Sequence, residues 1–118
     1  MAVNLYQYEG RCITGAATAP ATPTSGDACI IGQIPGVALT DEGDGGNATG
    51  EITMDTGGIY NLPVVGETTS ASAIAVGDIL YYDATKVNAD DTNGVRFGYA
   101  LGAVASGATT TIPVKVGW

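Results

Sequence analysis

A chain of 118 residues with 18 glycines, 14% charged residues and a net charge of −8 is long enough to bury a core without metal or disulfide. Its acidity argues against nucleic acid as a partner, because phosphate binding needs clustered Lys and Arg, and the four basic residues (Arg11, Lys86, Arg96 and Lys115) are scattered. No stretch is long and apolar enough to cross a bilayer, and the first residues lack the basic and apolar regions of a signal peptide. Synthesis in a cytoplasm is therefore expected, with no membrane partner.

Residues 1–9 read as an extended N-terminal arm, in which Leu5, Tyr6 and Tyr8 are large but too few to set up an alternation. Residues 10–118 then read as a single all-β domain. Arg11 to Thr14 gives a first short strand, and Gly15 to Ser25 a connector, since Pro20 and Pro23 cannot donate to a ladder. Gly26-Asp27-Ala28-Cys29-Ile30-Ile31 leads into Gly36-Val37-Ala38-Leu39, and the phrase returns as Gly77-Asp78-Ile79-Leu80-Tyr81-Tyr82 leading into Gly98-Tyr99-Ala100-Leu101. A Gly-Asp turn feeding a short apolar run, then Gly-x-Ala-Leu, is strand punctuation. Two related halves are expected, at about 26–63 and 77–116, with strands near 27–31, 36–40, 48–54 and 58–63, then 78–83, 85–88, 95–101 and 110–116.

Within this pattern Pro63 is expected to end its strand, and Pro113 to place the last strand at an edge or a bulge. Thr68 to Val76 holds at most one helical turn. Asp91-Thr92-Asn93-Gly94 is the strongest hairpin signal, because Asn-Gly suits positive φ angles. Ile52 and Met54, then Ile112, Val114 and Val116, alternate with polar neighbours, so those strands have one wet face. Tyr81 and Tyr82 point to opposite faces, one inward, and Tyr99 is expected to pack on the body. No window carries helical periodicity, so the class is all-β, a small barrel or a sandwich.

Residues able to do chemistry are sparse. Without histidine there is no Ser-His-Asp or Cys-His catalysis and no ordinary zinc site. Neither lysine follows a glycine, so there is no phosphate loop. Asp41, Glu42 and Asp44, and again Asp90 and Asp91, miss the spacing of a calcium loop and read as solvated turns. Paired-carboxylate hydrolysis would want aromatic platforms, and aromatics are 7%. Cys12 and Cys29 fit no metal spacing and read as two buried, reduced thiols. No enzyme activity, cofactor or metal is expected. Leu5, Tyr6, Tyr8 and Trp118 remain as aromatic and apolar anchors at the chain ends, candidates for an interface.

The order of phrases resembles the phage capsid cement, or head decoration, family. Those phrases are Glu9-Gly10, Ser25-Gly26-Asp27, Gly36-Val37-Ala38-Leu39-Thr40, Gly58-Ile59-Tyr60-Asn61-Leu62-Pro63, Gly77 to Ala84, Gly98-Tyr99-Ala100-Leu101 and a closing Val-Lys-Val. Together they cover roughly residues 9–116. Some family members carry a RecA-type recombinase label, which does not fit a short acidic chain without a phosphate loop. The resemblance implies an all-β virion protein on the outer surface of an expanded head, cementing neighbouring subunits of the major capsid protein. It also implies a homo-oligomer, a trimer near local three-fold axes. Departures are Tyr81-Tyr82 where Tyr-Trp is frequent, Pro113 in the last strand, and the Gly117-Trp118 end. The alternative is a virion spike or adhesion module that recognises host glycans.

Overall fold

The structure, a computed structural model, describes residues 10–68 and 73–117. Within them the chain forms strands β1 (Cys12–Gly15), β2 (Ala28–Ile31), β3 (Ile34–Ala38) and β4 (Ile52–Asp55), then β5 (Ile59–Val65), β6 (Ile79–Asp83), β7 (Lys86–Asn88), β8 (Val95–Ala100) and β9 (Thr109–Val116). All pairings are antiparallel. The first four strands make one sheet in the order β1-β4-β3-β2, and the other five make a second in the order β5-β9-β8-β6-β7. Removing β7 leaves β5-β9-β8-β6, the order of the first sheet again. Each predicted strand is present within a few residues of its expected position, and the class is all-β as expected.

The repeated phrase builds the same turn twice. Gly26 and Gly77 both sit at φ +94°, a left-handed conformation open chiefly to glycine. The following aspartate closes each turn through its carboxylate, Asp27 accepting from Thr24 N–H and Asp78 from Ala75 N–H, both at 2.9 Å. Each turn then docks on the later Gly-x-Ala-Leu strand: Gly26 N–H donates to Ala38 C=O at 2.8 Å, and Gly77 N–H to Ala100 C=O at 2.7 Å. A third turn, Ala105 to Ala108, starts β9 in a similar way with Gly107 at φ +77°, but Ala108 stands where the other two have aspartate. That copy was not visible in the sequence because the carboxylate that marks the phrase is missing.

Alternation along the strands sorts side chains into two cores. Leu62, Val64, Leu80, Tyr82, Val87, Phe97, Ile112, Val114 and Val116 of the second sheet join Ile30 and Val37 of the first. Cys29, Ala38, Ile52 and Met54, on the opposite face of the first sheet, form a smaller cluster with Ile13, Ala17 and Ile31 against it. At about 1.5–3 kcal/mol per buried apolar side chain, the larger core supplies most of the hydrophobic stabilisation. Tyr82 is buried and Tyr81 half-buried on the other face, as the alternation required. Tyr99 does not enter either core; β8 turns it to the outer face, beside Lys115 and Arg96.

Both prolines in the second sheet depart from expectation. β9 is a central strand, between β5 and β8, yet it holds Pro113. The reason is register: β8 ends at Ala100, opposite Val114, and Pro113 C=O accepts the Leu101 N–H just past that end at 2.9 Å. The missing donor of Pro113 faces the same side, where the β8 ladder has finished. Pro63 does not end β5, which runs on to Val65. It lies opposite Thr111 on an edge strand, and its nitrogen points away from β9, where no ladder donor is required. β5 and β7, the two edges of this curled sheet, come close without hydrogen-bonding to each other.

Asp91 to Gly94 is not a hairpin loop, because β6 lies between β7 and β8. Asp90 instead holds the turn, accepting from Thr92 N–H at 2.9 Å and Asn93 Nδ2 at 3.1 Å. Gly94 is there for space: a Cβ would stand 2.5 Å from Tyr81 Cβ. The tight hairpin in this part of the chain is β6–β7, turned by Ala84 and Thr85 at φ 48° and 70°. Residues 69–72 of the Thr68 to Val76 segment lie outside the described residues, and Ile74 forms an isolated bridge with Val104.

Neither cysteine forms a disulfide; Cys29 is buried, whereas Cys12 on edge strand β1 is only half-buried, contrary to the expectation of two buried thiols. Burial, with Asp27 nearby, pushes the Cys29 thiol up to about 11. A disulfide-exchange reagent at pH 8 is expected to modify Cys12 at least about 100-fold faster than Cys29, which must wait for the fold to open. Equal rates would contradict the placement of Cys29.

Candidate functional site

The anchors predicted at the chain ends, Leu5, Tyr6, Tyr8 and Trp118, lie outside the described residues. The structure does place residues 11 and 117, close in sequence to those anchors. Thr56, Gly57 and Gly58 connect the two sheets, running from β4 to β5. Arg11, just before β1, accepts from Thr56 N–H at 2.8 Å and from Thr56 Oγ1 at 2.6 Å through its carbonyl. On the other side Val116 N–H donates to Gly58 C=O at 2.9 Å, and a Cβ on Gly117 would stand 2.9 Å from Thr56 C=O. Residues 11 and 117 therefore flank one connector.

An ion pair locks this place. Asp55, the last residue of β4, has its side chain 5% exposed. Its carboxylate accepts from Arg11 Nε at 2.7 Å and Arg11 Nη2 at 2.8 Å, from Gly57 N–H at 3.0 Å, and from the Tyr60 hydroxyl of β5. Hydrogen bonds from Arg11, then Tyr60 and Gly57, outweigh desolvation and hold the Asp55 carboxyl well below the usual carboxylate range. The same carboxylate raises the Tyr60 hydroxyl. The cluster joins β1, β4 and β5, so it fixes the two sheets to each other beside residues 11 and 117. The sequence alone placed Arg11 at the first strand and among the scattered bases, and Tyr60 within a strand, but did not single out Arg11, Asp55 and Tyr60 as a cluster. The available signal was a carboxylate at a strand end followed by Gly57-Gly58, where a bulky side chain would push the guanidinium away: a Cβ on Gly58 would lie 2.9 Å from Arg11 Nη2.

Elsewhere the polar groups serve the fold. A cleft of about 300 Å³ opens where β5 and β7 fail to join, walled by Pro20, Ala28, Pro63, Val65, Tyr82 and Val87. At its rim Lys86 pairs with Glu67 at 2.9 Å, and Glu67 also accepts from the buried Asn88 at 2.9 Å. Lys86 first, then Asn88, hold the Glu67 carboxyl below its ordinary value. In the acidic loop Asp41 accepts from Ser25 N–H at 2.7 Å, while Asn47 bridges Thr40 and Thr53. Among the described residues no three Asp, Glu or Cys side chains converge as a metal site would require.

The geometry is that of an all-β body in which residues 11 and 117 lie side by side at the junction of the two sheets. The family model of phage cement proteins matches residues 9–116, close to the whole chain. No curated protein and no solved structure matches. On that match the chain belongs to the phage cement proteins, structural proteins that associate with the phage capsid and stabilise it.

Proposed function

We propose that the protein binds the outer surface of an expanded head as a homotrimer and bridges neighbouring subunits of the major capsid protein. It is made in the host cytoplasm and joins the head there, without nucleic acid, membrane or cofactor. The N-terminal arm, with Leu5, Tyr6 and Tyr8, reaches the shell or a neighbouring copy, and Trp118 lies within the same contact. The observation that supports this reading is that residues 11 and 117 lie together beside Thr56, close in sequence to the anchors of both ends. Many modest contacts acting in parallel across a shell add up to a large stabilisation, so no single site has to be strong.

Deletion of residues 2–8 is expected to weaken binding to expanded heads at least about tenfold, since buried aromatic anchors commonly carry about 2 kcal/mol each. The body should stay folded, because Arg11 and everything after it remain. Co-sedimentation with expanded and unexpanded heads reads the affinity, and circular dichroism checks the fold. Unchanged binding would remove the arm from the contact.

A further inference from the structure

From the register of the second sheet we infer that its outer face is the surface laid on the shell, against a carboxylate-bearing, partly apolar patch of the major capsid protein. The inference rests on the proposed binding to the outside of the head. One row of this face crosses four strands in register: Ile59 on β5, Lys115 on β9, Tyr99 on β8 and Ile79 on β6. The next row holds Asn61 and Pro113, with Leu101 just past the end of β8. Ile59 is 64% exposed, Leu101 39% and Ile79 37%. Large aliphatic groups sharing one face of a sheet in a small acidic protein mark an interaction surface more often than scattered single ones.

Charge separates this face from the rest of the molecule. The chain carries −8, yet two of its four basic residues stand here around Tyr99. Arg96 donates to the Tyr99 hydroxyl, with its guanidinium carbon 5.5 Å from the ring centroid, and Lys115 Nζ lies 5.8 Å from the same centroid. A positively charged rim around an apolar centre fits a partner that offers carboxylates, and would steer an otherwise acidic protein to dock with this face first.

The first sheet shows what the same row does when covered. By strand order and register Ile79, Tyr99, Lys115 and Ile59 correspond to Ala28, Val37, Asp55 and Cys12. There Val37 is buried and Ala28 half-buried against the main core, so that row is covered within the chain. In the second sheet the corresponding row has nothing over it among the described residues. Ile59 also follows directly on Gly58, so the face begins beside residues 11 and 117, next to the contact proposed for the chain ends.

The test is co-sedimentation of the full chain with expanded heads, for wild type, Ile59→Glu, Lys115→Glu and the acidic-loop control Asp91→Lys. Urea midpoints verify folding; Lys115→Glu changes only an exposed tip, so it remains informative if Ile59→Glu is unstable. Expected are saturable wild-type binding that weakens with salt, at least about tenfold loss in each face variant, and near-normal binding of the control. Wild-type binding with unaffected face variants would overturn the face and leave the shell reading standing. No wild-type binding would overturn both. A change in the free protein's sedimentation coefficient in the face variants would make the face a contact between copies, and overturn the assignment.

Discussion

Urea unfolding of a Gly98→Ala variant is expected to show a loss of at least about 3 kcal/mol, with little or no native protein at 37 °C. Gly98 lies in β8, a central strand, opposite Val116 of β9. A single added Cβ would stand 2.1 Å from Lys115 C=O and 3.1 Å from Val116 Cα. Overpacking a core ordinarily costs about 1–3 kcal/mol, because side chains swing aside. Here the obstacle is main chain, held on its other side by β5, so relief requires separating strands of the main core. The corresponding Gly36 in the first sheet makes the control. A Cβ there would stand 2.2 Å from Met54 Cγ and 2.5 Å from its sulfur, which are mobile, though Asp55 C=O at 2.9 Å is not. Gly36→Ala is therefore expected to cost less, about 1–2 kcal/mol. A Gly98→Ala midpoint equal to wild type would contradict the β8–β9 approach.

Asp55→Asn is the second large effect, about 2–3 kcal/mol at pH 7. Losing a buried member of an ion pair usually costs about 3–5 kcal/mol. Arg11 is 55% exposed and can be rehydrated, so the lower figure applies. The amide also presents hydrogens toward donors, Arg11 Nη2 or the Tyr60 hydroxyl, whichever way it is turned. The pH dependence carries the sign. Asp55 is depressed below its usual 3.8 in the folded protein, so its contribution is complete above about pH 5. It is lost as pH falls through 3.8 toward the lower folded value. Urea midpoints of wild type and variant should therefore converge between about pH 5 and pH 2. A gap that stays constant over that range would show that the carboxylate's ionisation is not what stabilises the junction.

Local signals and long-range ones differed in how well they could be read from the chain. Gly26-Asp27 and Gly77-Asp78 were legible because each turn is made by neighbours three residues apart. The strands were legible because their wet and dry faces alternate, as along β9. The Asn93-Gly94 signal misled because glycine has two uses, and here it gives room to Tyr81 rather than a positive φ. The true hairpin was hidden because Ala84 and Thr85, neither a preferred residue, accept the left-handed conformation. Pro113 could not be placed without knowing where β8 stops. The Arg11–Asp55 pair spans 44 residues, and no pattern of spacing announces a contact of that kind. The outer face of β5, β9, β8 and β6 stayed hidden for a similar reason: alternation shows which residues share a face, not which strands lie side by side.

Pro63 has a consequence for crowding. On a capsid, many copies of a cement protein stand close together for as long as the particle lasts. An open strand edge in such an array is a template on which the next molecule can extend the sheet, and the growth need not stop at two. β5 is an edge, and at its middle it presents a ring carbon where a pairing neighbour would look for a hydrogen. The proline that interrupts the strand's donors thus works against sheet pairing along this edge.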